Sequence, residues 1–273
     1  NDLLANKFIT LPPKTWDEFL ASAGKLTQKD SLGNIVISGA ALGRALNIEN
    51  ASLILTTLFL QSGEKIIGEG GEVVLGGSVS VGGTSLNPAE SALRFFADFA
   101  NHQKTSRSWS AALPEAKDMF ISGKLAMYLG RISEHNEIKK KNTHLNFSVS
   151  ALPRLAGEQR LVTGGSLYAL AVPKASAKQK QAWNFITFLT GAENSSAYAD
   201  KTGGVSLRRD VLPKYQKESV RSVFAESVLA LRLWPNPDPQ KTEQIFREMI
   251  EDAALNRLPT LRDALEKAKA RFE

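Results

Sequence analysis

The chain has 273 residues, 42% of them apolar, and a net charge of +6 from 34 Lys and Arg against 28 Asp and Glu. That length allows one large or two medium domains with real cores. No apolar run is long enough for a membrane span, and the absence of cysteine excludes disulfides, thiolate metal sites and a thiol nucleophile.

Pro12–Pro13 closes an irregular lead-in, and Thr15–Trp16–Asp17–Glu18 has capping-box spacing. The helix it opens places Trp16, Phe19, Leu20, Ala23 and Leu26 on one face. Asp30 to Asn34 reads as a turn, and Ile35–Val36–Ile37 as a short strand closed by Gly39. A second helix starts at Asn50 or Ser52, runs through Leu60 and ends at Gly63. β-formers from Glu72 to Val81 alternate around Gly76–Gly77, which predicts a hairpin. Gly77 to Thr84 resembles a phosphate-binding loop, but Gly83 stands where the lysine is needed and Val79–Ser80–Val81 alternates like a strand. Nucleotide binding is therefore rejected. Asn87–Pro88–Ala89–Glu90 starts another helix, with Leu93, Phe96, Ala97 and Ala100 inward.

A helix from about Pro114 stops at Ser122–Gly123. Leu125 to Leu129 is nearly all apolar, which suits a strand buried on both faces. Gly130 ends it, as a turn residue or as a point where backbone and ligand approach closely. Lys139–Lys140–Lys141, near Arg131 and His144, forms the densest basic cluster. It lacks the interleaved aromatics of a nucleic-acid surface and reads as a solvated helix end. Leu145 to Ala151 alternates as a half-buried strand. Thr163–Gly164–Gly165–Ser166 leads into Leu167 to Val172, a fully apolar strand. Ala175 to Leu189 is a helix with Ala182, Trp183, Ile186 and Leu189 inward. A helix follows around Val220 to Leu231. Trp234 to Pro239 is a stiff, proline-rich connector. Asp238 and Pro239 cap the helix carrying Ile245, Phe246, Met249, Ile250 and Ala253, and Thr260 and Asp263 open the last one.

His102, His135 and His144 are not spaced as metal ligands, there is no Gly-x-Ser-x-Gly elbow, and no nucleophile–base pair stands out. No metal, cofactor or catalytic residue is expected. A carbohydrate-active hydrolase on an α/β scaffold remains the alternative, since two carboxylates can meet across a cleft. The remaining features suit a binder. Gly164–Gly165–Ser166 offers unobstructed backbone N–H groups and a hydroxyl. Trp234 either presents a flat stacking face or packs the connector onto the core.

Several phrases in order resemble the extracellular solute-binding proteins of ABC importers, of the sugar-binding type. They are Asn1–Asp2–Leu3–Leu4 with Pro12 to Phe19, Phe120–Ile121–Ser122–Gly123–Lys124–Leu125–Ala126–Met127, Asn146–Phe147 to Leu152–Pro153, and Gly164–Gly165 followed by Ala182–Trp183–Asn184–Phe185. The resemblance implies an α/β, type II periplasmic-binding-protein-like fold, with three-layer lobes of helices flanking short-stranded mixed sheets. It implies a non-enzymatic protein that captures a small solute, most naturally a sugar or oligosaccharide, and hands it to the membrane permease. Its place is periplasmic or extracellular, free or peripheral to the membrane through a lipid anchor, with no nucleic-acid partner.

The resemblance also implies that most of the N-terminal lobe, with its secretion signal, lies outside this chain. Residues 1–160 and 205–273 would form the C-terminal lobe and 161–204 a segment of the other lobe, leaving apolar surface exposed or covered by a partner chain. Family ligand contacts carried onto this sequence fall at Gly130, Arg131, Gly164, Gly165, Ser166, Trp234 and Asp238. Maltose-binding members are rich in aromatics at such positions. Here the loop after the Ala126–Met127 strand offers Arg131–Ile132, which leaves open a smaller sugar or a ligand with an acidic group met by Arg131.

Overall fold

The computed structural model describes residues 1–81, 84–236 and 238–272. After a short helix α1 (Asp2–Ala5), α2 (Trp16–Leu26) begins where the Thr15 hydroxyl accepts the Glu18 N–H at 3.2 Å. The Glu18 carboxylate reaches back to the N–H of Lys14 at 2.7 Å, one residue beyond the usual capping-box partner. Trp16, Phe19, Ala23 and Leu26 are buried, so the amphipathic face is the one that packs.

Strand β1 (Gln28–Lys29) runs antiparallel to β2 (Ile35–Ala40). Helix α3 (Ala51–Gln61) follows, then the hairpin β3 (Val79–Val81) and β4 (Thr84–Leu86), α4 (Pro88–Asp98) and α5 (Ala116–Ile121). Strand β5 (Leu125–Met127) returns parallel to β2, with Ser38 opposite Leu125 and Ala40 opposite Met127. The three-stranded sheet packs on α2 at Gly39, where any Cβ would run into the carbonyl of Ala23. Only glycine lets strand and helix meet this closely.

Helix α3 is apolar nearly all round and accordingly lies inside, against α4 and α10 (Pro239–Ala254), with α11 (Leu261–Phe272) closing over α4 and α10. Phe59, Phe96, Phe99, Trp109 and Phe246 are fully buried here. Each such side chain contributes about 1.5–3 kcal/mol of burial. Trp109 lies in the loop between α4 and α5 and donates from its indole to Asn47 at 2.9 Å.

Between these parts the chain forms α6 (His135–Lys141), β6 (Thr163–Gly164), α7 (Gln179–Leu189), α8 (Ala192–Thr202), α9 (Ser219–Leu229) and β7 (Leu231–Arg232), which pairs parallel with β6. A second, small core joins α8, a 3₁₀ turn at Leu212–Tyr215 and α9 through Ala199, Leu212, Tyr215 and Ala225. The Arg221 guanidinium lies over the Tyr215 ring, 4.1 Å from its centre.

Several expectations are corrected. The hairpin is Val79–Val81 with Thr84–Leu86 rather than a turn at Gly76–Gly77; Gly82 and Gly83 of the phosphate-loop-like stretch lie outside the described residues, as does Pro237 of the connector. Strand β5 stops at Met127, and only Leu125 in it is buried. It pairs on one side, with β2, among the described residues. Leu145 to Ser150 keeps its alternation of half-buried and exposed residues but joins no ladder among the described residues; the N-terminus and side chains of Asn1 and Asp2 bind Asn146 and Ser148 instead.

Leu167 to Val172 is not a strand: Tyr168 is 95% exposed, and Leu167 and Leu170 about half. A strand needs a neighbour for its backbone groups, and none of the described residues lies beside this one in a sheet. Trp183 is 53% exposed, not inward, because α7 buries no residue against the rest of the chain.

Candidate functional site

Past the end of β5, the chain turns through Gly130 into a short 3₁₀ turn at Ile132–Glu134. A Cβ at Gly130 would press on the Tyr128 ring at 2.5 Å and the Glu134 carboxylate at 2.9 Å, so this glycine makes room for a polar cluster. Glu134 is buried. Its carboxylate accepts from the N–H of Arg131 at 2.7 Å, from the Asn50 amide at 3.0 Å and from the Tyr128 hydroxyl at 3.1 Å, and Lys117 stands 3.6 Å away. The other end of the Asn50 amide accepts from Arg131 Nε at 2.8 Å. Arg131 itself is exposed.

Lys117 pairs with Glu137 at 3.1 Å and Glu49 at 3.3 Å. Partial burial pushes the Lys117 ammonium down, but the contacts with Glu137 and Glu49 outweigh it and hold the group up at about 12. Burial, reinforced by the charge of Glu134, raises the Tyr128 phenol well above its ordinary value, so it stays a donor.

One face of α3 organises the surroundings. Asn50 caps the helix by position only, since its side chain is turned to Arg131 and Glu134. Thr57 stands about two turns, or about 10 Å, further along the same face. Its hydroxyl accepts the N–H of Gly164 at 3.2 Å, and a Cβ at Gly164 would meet that oxygen at 2.5 Å. Gln61, on the same face, donates to the carbonyls of Pro153 and Val162 at 3.0 and 2.8 Å. A polar stripe on an otherwise apolar helix thus fixes the Gly130–Arg131 turn at one end and the Gly164–Gly165 strand end further along.

The other expected residues sit differently. Gly165 packs under Leu231, and Ser166 is exposed. Trp234 stacks on Phe246, rings 6.5 Å apart at 15°, which is the packing role. Asp238 accepts the Lys241 N–H at 3.0 Å and caps α10. Asn50, Thr57, Lys117, Tyr128 and Glu134 were not singled out from the sequence; Asn50 carried only a helix-start signal. Next to the cluster lies an open recess of about 450 Å³ lined by Leu46, Glu49, Lys117, Asp118, Glu137 and Arg247 among others, without an aromatic face.

Residues 1–221 match the family of bacterial extracellular solute-binding proteins. The chain belongs to that family. Among curated proteins, none matches it. The fold of this solute-binding protein is shared by an ABC transporter solute-binding protein from Thermotoga lettingae bound with α-D-tagatose, at 20% identity and a TM-score of 0.71, over 100% of this chain and 68% of that one. It is also shared by the cyclic α-maltosyl-1,6-maltose binding protein from Arthrobacter globiformis, at 16% identity and a TM-score of 0.75, over 99% and 66%. The maltotriose binding protein of Thermus thermophilus, bound with maltotriose, matches at 20% identity and a TM-score of 0.64, over 97% and 67%. This solute-binding protein therefore spans about two thirds of the length of those structures, in a mixed α/β fold.

Proposed function

We propose that this protein is the solute-capturing component of an ABC importer, taking a sugar or oligosaccharide in the periplasm or outside the cell and passing it to the membrane permease without chemical change. The reading is carried by family membership over residues 1–221 together with a fold shared, along nearly the whole chain, with three sugar-binding proteins. The ligand-facing positions are Gly130–Arg131, fixed by Asn50, and Gly164–Gly165–Ser166, fixed in part by Thr57. Trp234 and Asp238 act by packing and capping. The protein works free or held at the membrane surface by a lipid anchor.

Residues 1–160 and 205–273 form one lobe in this reading, and 161–204 belongs to a second, with the small core of Ala199, Leu212, Tyr215 and Ala225 spanning the boundary between them. What supports it is the exposure of Leu167, Tyr168, Leu170, Trp183, Phe185 and Phe188, a density of apolar surface that calls for a covering partner. Titration calorimetry of the intact protein against mono- and oligosaccharides tests the function. Saturable binding without release of new reducing ends is expected. A panel that produces no heat, or sugars that are cleaved, would sink it.

A further inference from the structure

We propose that Arg131 selects a solute bearing a carboxylate, such as a uronic-acid sugar, through a two-pronged contact from its terminal guanidinium nitrogens. This rests on the solute-binding reading of the same site. Around Asn50, donors and acceptors are shared unevenly. The Glu134 carboxylate already faces the Arg131 N–H, the Asn50 amide, the Tyr128 hydroxyl and the Lys117 ammonium. Glu49 and Glu137 are likewise paired with Lys117 at 3.3 and 3.1 Å. These three carboxylates are met by Lys117 and its neighbours, and none forms an ion pair with the Arg131 guanidinium among the described residues.

Arg131 is exposed, engages only its Nε, and forms no ion pair among the described residues. Yet it is not a loose surface chain. Asn50 is 3% exposed, and its amide is held at both ends, accepting from Arg131 while donating to Glu134. One N–H of the guanidinium is thereby anchored before any solute arrives, and its remaining N–H groups have no partner among the described residues. It stands just beyond the carboxyl end of β5, where open α/β sheets place their ligands. A planar fork of donors matches a carboxylate, and such charge-assisted pairs are about twice as strong as neutral ones.

The test is titration calorimetry at low salt with D-glucuronate against D-glucose, and digalacturonate against galactobiose, on the intact protein and its R131Q, R131K and N50A variants. At least one acid is expected to bind about tenfold or more tighter than its neutral counterpart, R131Q to abolish that preference, R131K to recover part of it, and N50A to weaken it. Equal affinity for acid and neutral sugar, or a preference that survives in R131Q, would overturn the proposal, as would silence toward all four probes. Where no acid is preferred, a neutral sugar from the wider panel that binds wild type and R131Q alike leaves the importer reading intact while this proposal falls. Silence of the whole panel removes both.

Discussion

Glu251 on α10 takes the Arg44 guanidinium at 2.5 Å across 207 positions of sequence, and the same carboxylate accepts the N–H of Ala45 at 2.7 Å. Both side chains are largely buried. The pair ties the loop after β2, which leads into α3 and Asn50, to the C-terminal helices. Removing one member leaves the other charge buried and alone, so Glu251→Ala is expected to cost about 3 kcal/mol in urea denaturation. A loss of a few tenths would show that the loop is held by something else.

Glu251 and Glu64, both buried, respond to pH in opposite senses. Burial pushes Glu251 up, but Arg44 and the main-chain N–H groups of Ala45 and Leu46 outweigh it and leave the carboxyl below its ordinary range. Its contribution is present above the unfolded value and is lost as pH falls through the lower folded one. Glu64 is raised by burial, only partly offset by the N–H of Gly76 at 2.8 Å and those of Gly77 and Ala89, and it has no ion pair among the described residues. Its favourable part is present below the unfolded value near 4.5 and is lost as pH rises through the higher folded one. At neutral pH ionised Glu64 is thus a cost. Glu64→Gln, which keeps an acceptor for Gly76, is expected to melt higher than wild type at pH 7, with the gap closing toward pH 4. A gap that is constant with pH would contradict this.

Asp238 belongs to the helix it starts. Asp238→Ala is expected to cost about 1 kcal/mol as a lost N-cap while leaving solute affinity untouched. Weakened binding in a normally folded variant would place Asp238 at the ligand after all.

Trp183 lies on the exposed side of α7. Trp183→Ser in this chain is expected to change stability by less than about 0.5 kcal/mol and to reduce binding of a hydrophobic dye. A loss of several kcal/mol would mean that the indole is packed.

The helix starts were legible because their signals are local. Thr15, Asn87, Asp238 and Thr260 each bond a backbone N–H three residues on, and each marks a start expected from spacing alone. The amphipathic faces of α2 and α10 were legible for the same reason. The candidate site was half visible: Gly130 and Gly164 stood out as glycines beside strands, but Thr57, which claims the Gly164 N–H, lies 107 positions away.

By itself, then, the sequence determined where helices begin, which residues are apolar and in what order the family's phrases run. Tertiary structure alone decided which apolar residues find cover: Trp109 is sealed inside a loop while Trp183 and Tyr168 face outward. It also decided that Asn50 meets Arg131 across 81 residues. Capping and periodicity act within a turn or two of chain, whereas burial and long-range hydrogen bonds depend on what the folded chain brings alongside.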